Sequence, residues 1–213
     1  FNYIYPPRPE YKIPPKDLDN FDTGEYIVQP KYNGTCCIVF TNGKEVYVYN
    51  RHKQPLSWYS SDIEFEKLAQ SNQWYVYTGE YLNKGKLGET GTKEKDKFII
   101  WDILVWADQY LIGDDLLTRI KLLEETFPCQ RAKINEDGLE MYEHLCHTDL
   151  KNIFKAPSYM NNFSKLFKDI CKTDLYEGLV IKKIDSKLSY GFQELNNHDW
   201  QIKCRKPTKV YHF

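Results

Sequence analysis

No apolar run in the 213-residue chain approaches the roughly 18 residues that a helical membrane span needs; the longest, Phe98 to Val105, is broken by Asp102. The opening Phe1 to Pro7 lacks the pattern of a signal peptide, so the protein is expected to work outside the membrane. None of the six cysteines (Cys36, Cys37, Cys129, Cys146, Cys171, Cys204) is spaced Cys-x-x-Cys. Reduced thiols in an intracellular compartment, cytoplasm or nucleus, are the simplest reading. His144, Cys146 and His147 lie close together but have no second ligand pair at usable spacing, so no zinc site is expected. Internal repeats are absent. Gly85, Gly88 and Gly91 lack the Gly-Lys-Ser/Thr ending of a phosphate-binding Walker loop, and the Lys84 to Lys97 stretch around them reads as an exposed loop.

What is present is an ordinary globular composition, 41% hydrophobic and 28% charged, with a net charge of −1. That near-neutrality hides an asymmetry. Residues 1–150 hold 17 Lys+Arg against 24 Asp+Glu, whereas residues 151–213 hold 12 against 6. A basic last third permits a polyanionic partner, although a solvated lysine-rich surface has the same composition.

Strand signals dominate. Thr35 to Phe40 and Glu45 to Tyr49 flank Asn42-Gly43, a strong hairpin turn, and further strands are predicted at Trp74 to Leu82, Phe98 to Trp106, Glu177 to Lys183 and Trp200 to Cys204. Helical spacing marks Asp62 to Gln70, Asp115 to Phe127 and Asn162 to Lys172, and the proline-rich Pro6 to Pro15 is expected to be extended. The mixture indicates an α+β fold built on antiparallel sheets.

Several chemistry-bearing residues occur in a particular order. Lys31 opens Lys31-Tyr32-Asn33-Gly34 before the hairpin, and Arg51 ends the hairpin. Glu80 follows in Tyr-Thr-Gly-Glu-Tyr-Leu, and Trp101-Asp102 sits in an apolar strand. Later come Tyr176-Glu177-Gly178-Leu179-Val180-Ile181-Lys182 and Trp200-Gln201-Ile202-Lys203-Cys204-Arg205. From Gln29 to Arg205 this ordered set resembles the covalent nucleotidyltransferase superfamily of ATP-dependent DNA ligases, RNA ligases and mRNA capping guanylyltransferases. The resemblance implies two antiparallel β-sheets flanked by helices, with a nucleotide cleft between them. It also implies ATP as cofactor, AMP carried covalently on Lys31, and Mg2+ or Mn2+.

By that resemblance Lys31 is the nucleophile, and because free lysine is almost wholly protonated at neutral pH, its site must favour the neutral amine. Lys203 and Arg205, alternating on one strand face, are suited to supply nearby cations and to stabilise charge developing at the α-phosphate. Glu177 and Glu80 are the expected metal-side carboxylates, Glu80 with ribose as an alternative contact; the competing reading makes both strand-edge carboxylates paired with lysine. Arg51 is assigned to ribose or to a substrate 5′-phosphate, Trp101 to stacking on the base or else to core packing, and Trp200 to the core. Gln29 stands two residues before Lys31, where ligases often carry Glu, and an amide that both donates and accepts leaves ATP and GTP open. Pro30, Tyr32 and Gly34 complete the nucleotide-binding set. His52 receives no role.

Asn33, where DNA ligases and capping enzymes typically have Asp, and Cys36, where they have Arg, both favour an RNA ligase; Thr35 after the glycine agrees. Tyr110-Leu111-Ile112-Gly113 and the following helix with Arg119 look instead like DNA ligases. The expectation is therefore one nucleotidyltransferase domain over 1–213, without the oligonucleotide-binding domain that DNA ligases and capping enzymes append, an additional domain outside this chain being one possibility. Its partner would be nucleic acid with 5′-phosphate and 3′-hydroxyl ends, RNA ahead of DNA. The alternatives are an ATP-dependent DNA ligase, a capping guanylyltransferase, or a catalytically silent nucleotide or nucleic-acid binding module.

Overall fold

The computed structural model describes residues 2–89, 91–134 and 140–207. Fourteen strands are described in it: β1 (Arg8–Ile13), β2 (Tyr26–Tyr32), β3 (Thr35–Thr41), β4 (Val46–Asn50), β5 (Tyr75–Tyr81), β6 (Lys86–Leu87), β7 (Lys93–Glu94), β8 (Phe98–Trp106), β9 (Gln109–Tyr110), β10 (Gln130–Ile134), β11 (Glu140–His147), β12 (Ile153–Lys155), β13 (Tyr176–Lys183) and β14 (Asn197–Arg205). Two α-helices accompany them, α1 (Leu116–Thr126) and α2 (Phe163–Ile170). A small sheet runs in the order β1-β14-β13-β2, and a large one in the order β10-β11-β12-β8-β5-β3-β4, with β9 on β8.

This is the α+β architecture that the sequence implies. Pairing is mostly antiparallel, but β1 runs parallel to β14 and β12 parallel to β8. The hairpin at Asn42-Gly43 forms, with Val48 opposite Val39 and Gly43 at φ +85°. Within the Lys84 to Lys97 loop, β6 and β7 make a two-stranded hairpin of their own. Strand β2 eludes the sequence pattern because Pro30 interrupts it; the strand lies at an edge of the small sheet, where a missing N–H is tolerated.

Helix α2 buries Phe163, Leu166, Phe167 and Ile170, the i, i+3, i+4, i+7 face expected of a helix packed on a sheet. Its first amides are capped from afar, Asp22 accepting from Asn162 N at 2.8 Å and from Phe163 N at 3.4 Å. Asp115 caps α1 locally, accepting from Thr118 N at 2.7 Å. Between Asp62 and Gln70 only a 3₁₀ turn over Phe65–Leu68 forms rather than the expected helix. Ile63 and Phe65 are both buried, and residues two apart cannot share one face of an α-helix.

A second departure concerns the thiols. Cys129, just past α1, and Cys146 in β11 form a disulfide, their Cα atoms 5.1 Å apart, which corrects the expectation that all six cysteines are free. The chain reversal after α1 brings them together across 17 residues. Cys36, Cys37, Cys171 and Cys204 are free.

One buried ion pair ties α1 to the large sheet. Asp102 in β8 accepts from Arg119 Nε at 2.9 Å and from Nη2 at 3.1 Å, while Nη1 reaches Asp114 O at 2.6 Å. Burial pushes the Asp102 carboxyl up, but the guanidinium and nearby Lys182 outweigh it and hold the group below the usual range. Removing one partner strands the other. Arg119→Met is expected to cost about 3–5 kcal/mol in denaturant unfolding. Adding Asp102→Asn should recover part of that; a loss of under about 1 kcal/mol for the single variant would contradict the reading.

Candidate nucleotide-binding site

Between the two sheets lies a cleft of about 480 Å3. The small sheet contributes Gln29 to Tyr32 from β2, Glu177 and Lys182 from β13, and Lys203 and Arg205 from β14. Facing them are Cys36 of β3, Asn50 and Arg51 at the end of β4, Glu80 of β5 and Trp101 of β8. Every residue that the sequence singles out for nucleotide, metal or catalytic work thus borders one space.

Register produces the central contact. Antiparallel β2 and β13 pair Tyr32 with Tyr176 and Lys31 with Gly178, so the register slips at Glu177. Such a bulge re-aims a side chain. Here the Glu177 carboxylate bonds to the Lys31 amine, and Arg205 stands 3.5 Å from the same oxygen. Gly178 makes this possible: at φ +141° a Cβ would fall 2.0 Å from Cys204 O. Lys203 and Arg205 share the cleft face of β14, while Cys204 between them is buried on the other side.

Glu80 is held from across the cleft. Gly34 N donates to its Oε1 at 3.1 Å, an approach that depends on glycine because a Cβ there would lie 2.5 Å from Tyr81 O. Burial pushes the Glu80 carboxyl up to about 8, with Glu177 adding to the rise and Lys31, the Gly34 amide and Arg51 opposing it. Two carboxylates in one cleft suit a hard divalent cation, which commonly takes one or two carboxylates and completes its shell with phosphate oxygens and water. Among the described residues no cluster of three or more His, Cys, Asp or Glu side chains is placed to hold a metal. His144 is spent on Tyr159 at 2.6 Å and Glu89 at 3.1 Å.

Other predicted residues reach the cleft with altered prospects. Tyr32 borders it, but its ring is buried and its hydroxyl donates to His144 O at 2.7 Å, a core role. Trp101 lines the cleft and also packs against the core of the small sheet. Arg51 is exposed at the rim and donates from Nε to His52 Nε2 at 3.1 Å; His52 in turn pairs with Glu194. Trp200 is half-buried against His198, away from the cleft. Gln29 is almost fully buried, its amide nitrogen directed at Ser158 Oγ (3.1 Å) and Trp101 O (3.4 Å). Its oxygen accepts from Lys182 Nζ at 2.7 Å. Lys182 has no assigned role in the sequence reading, where it merely ends an apolar strand. It is buried beside Asp102 and Arg119, and burial pushes its amine down to about 8. The signal was an interior lysine in an otherwise apolar run.

A family model described as "ATP dependent DNA ligase domain" matches residues 10–203. Among solved structures, a mycobacterial DNA ligase D complexed with ATP and MES superposes with TM-score 0.65 at 15% identity, covering 96% of this chain and 62% of that one. The ligase domain from M. tuberculosis LigD gives TM-score 0.61 at 16% identity, with 96% and 61% covered. A structure from a study of Lig E DNA ligases gives 0.54 at 14%, with 95% and 70% covered. The chain therefore spans about three fifths of the first two. No curated protein matches its sequence.

The raised Glu80 group makes stability fall with pH. Its unfolded carboxyl ionises near 4.5 while the folded one keeps its proton to about 8, so across that window the unfolded state binds fewer protons. Glu80→Gln is expected to flatten the decline in melting temperature between those pH values while keeping an acceptor for Gly34 N; an unchanged slope would show that Glu80 does not titrate there. With the family model covering most of the chain and every motif bordering one cleft, the protein belongs to the ATP-dependent DNA ligase adenylation-domain family, within the covalent nucleotidyltransferase superfamily.

Proposed function

We propose that the chain is the adenylylating core of an ATP-dependent polynucleotide ligase acting on DNA ends. The observation that carries this is the convergence of Lys31, Glu177, Lys203 and Arg205 on one wall of a cleft whose other wall holds Glu80 and Trp101. Lys31 leaves Glu177 to attack the α-phosphorus of ATP, forming the N–P bond as the bond to pyrophosphate breaks. Lys203 and Arg205 stabilise the charge that builds on the α-phosphate oxygens. A 5′-phosphate oxygen then takes AMP from Lys31, and a 3′-hydroxyl displaces it to seal the strand. A bound Mg2+ or Mn2+, for which Glu177 and Glu80 are the available ligands, would neutralise triphosphate charge.

Adenine is favoured over guanine by the hydrogen-bond polarity of the cleft floor. Lysine only donates, so Lys182 turns the Gln29 oxygen toward itself and leaves that oxygen an unused lone pair for a donor. The adenine 6-amino group is a donor, and the guanine 6-oxygen is not. Lys182→Met leaves only the long contact to Trp101 O to fix the orientation of the amide and is expected to reduce the preference for ATP over GTP in protein labelling by about tenfold. An unchanged preference would place base selection elsewhere.

DNA rather than RNA is supported by the family model and by neighbours described as DNA ligases. Asn33, read in the sequence as an RNA-ligase mark, donates to Asp174 O at 3.2 Å, tying its turn to the segment before β13, a role that accounts for an amide there with either substrate. Cys36 is half-buried on the cleft wall beside Glu80, a position that packing around the nucleotide site accounts for. The test is sealing of matched nicked duplexes, all-DNA against RNA on either side of the nick, with Lys31→Ala as control. Faster sealing of the DNA nick, abolished in Lys31→Ala, is expected; sealing confined to RNA ends would reverse the assignment.

A further inference from the structure

The cation-rich wall of the cleft extends beyond the residues discussed so far, onto the N-terminal strand. Arg8 lines the cleft together with Lys31, Lys203 and Arg205, and β1 runs parallel to β14 with Lys12 directly opposite Lys203. Residues paired across a sheet face the same side, so Lys12 projects from the face that Lys203 presents to the cleft. Ile13, one residue on, packs into the core on the other face. Arg8 and Lys12 stand four residues apart on that strand and share its face.

These cations crowd one another. The Lys203 amine is pushed down by burial, then by the positive charges of Arg205, Lys31, Arg8 and Lys12. Against the five stands Glu177, already engaged by Lys31 and Arg205. Among the described residues no salt bridge joins Arg8 or Lys12 to a carboxylate; alternation puts the exposed Glu10 on their face, and with Glu177 it still leaves five cations against two carboxylates. Uncompensated positive charge at the mouth of a cleft is matched by a polyanion.

Arg8 is also held in place beforehand. It sits between Pro7 and Pro9, and its N–H donates to Asn196 O at 2.9 Å. Proline restricts its own φ and forces the preceding residue into an extended form, so little backbone freedom remains to be lost on binding.

We propose that β1 is the pyrophosphate wall of the site, Arg8 and Lys12 holding the β- and γ-phosphates of ATP while Lys31 attacks the α-phosphate. This rests on the adenylylating function proposed above. In the step the Lys31 Nζ–P bond forms and the bond from the α-phosphorus to the bridging oxygen breaks. The electron pair leaves on pyrophosphate, and the amine proton passes to solvent. Arg8 and Lys12 bind the leaving group and have no part in the later passage of AMP to a polynucleotide end.

Three reactions of Arg8→Ala, Arg8→Lys and Lys12→Ala separate the possibilities: labelling of the protein by ATP, return of ATP from isolated adenylylated protein plus inorganic pyrophosphate, and ATP-independent transfer of AMP to a nicked duplex. For Arg8→Ala we expect the ATP and pyrophosphate concentrations for half-maximal rate to rise by about tenfold, with the loss confined to those two reactions and largely restored in Arg8→Lys. Lys12→Ala, at an exposed position, should show a smaller rise and keeps the test usable if Arg8→Ala unfolds. Unaltered pyrophosphate dependence in both alanine variants, or a loss confined to nicked-duplex transfer, would overturn the proposal, the latter assigning these cations to the polynucleotide backbone. Failure of the wild-type protein to accept AMP would instead overturn the adenylylating function itself.

Discussion

The site depends on the register between β2 and β13. Seven residues of β2 carry the lysine, eight of β13 carry the glutamate, and a one-residue slip at Glu177 turns its carboxylate onto the Lys31 amine. In a regular ladder successive side chains would alternate between core and cleft, and a shift of one position would exchange them. Gly178 lets β13 approach β14 closely enough that Arg205 also meets Glu177, so one glycine fixes the position of three charged groups. Pro30, at the edge of the same sheet, costs no ladder bond that a neighbour would need.

Behind this wall, charge is buried and compensated in sequence. Arg119 clamps Asp102 from α1, Asp102 lies near Lys182, and Lys182 turns Gln29. A helix packed against both β8 and Ile27 of β2 thereby orients an amide at the floor of the cleft. Incomplete satisfaction would cost several kcal/mol at any link, which is why the chain of contacts specifies one arrangement. At the cleft surface the opposite holds: cations outnumber ionised carboxylates, and Glu80 is pushed toward its neutral form, so the free site is poised for an anion.

Much of this was legible in the order of residues. Alternating strands placed Lys203 and Arg205 on one face, and helical spacing marked α1 and α2. What escaped notice depends on distance in the chain. Arg8 meets the site only because β1 pairs with a strand about 190 residues later, and Asp22 caps a helix 140 residues away. The Cys129–Cys146 bond follows from a strand return that no cysteine spacing announces. Lys182 was visible as a charge in an apolar run, yet its partners Asp102 and Gln29 come from two other strands. Asn33 and Cys36 mark a substrate only in the sequence pattern; in the fold one ties a turn to the segment before β13 and the other is half-buried on the cleft wall.

The central claim is that the amine held by Glu177 is the one that accepts the nucleotide. Peptide-level mass spectrometry of the protein after incubation with ATP and magnesium tests it most directly. An AMP adduct, labile to acid and hydroxylamine, confined to the peptide bearing Lys31 is the result expected. An adduct on any other lysine, or a folded protein that binds ATP without acquiring one, would contradict it.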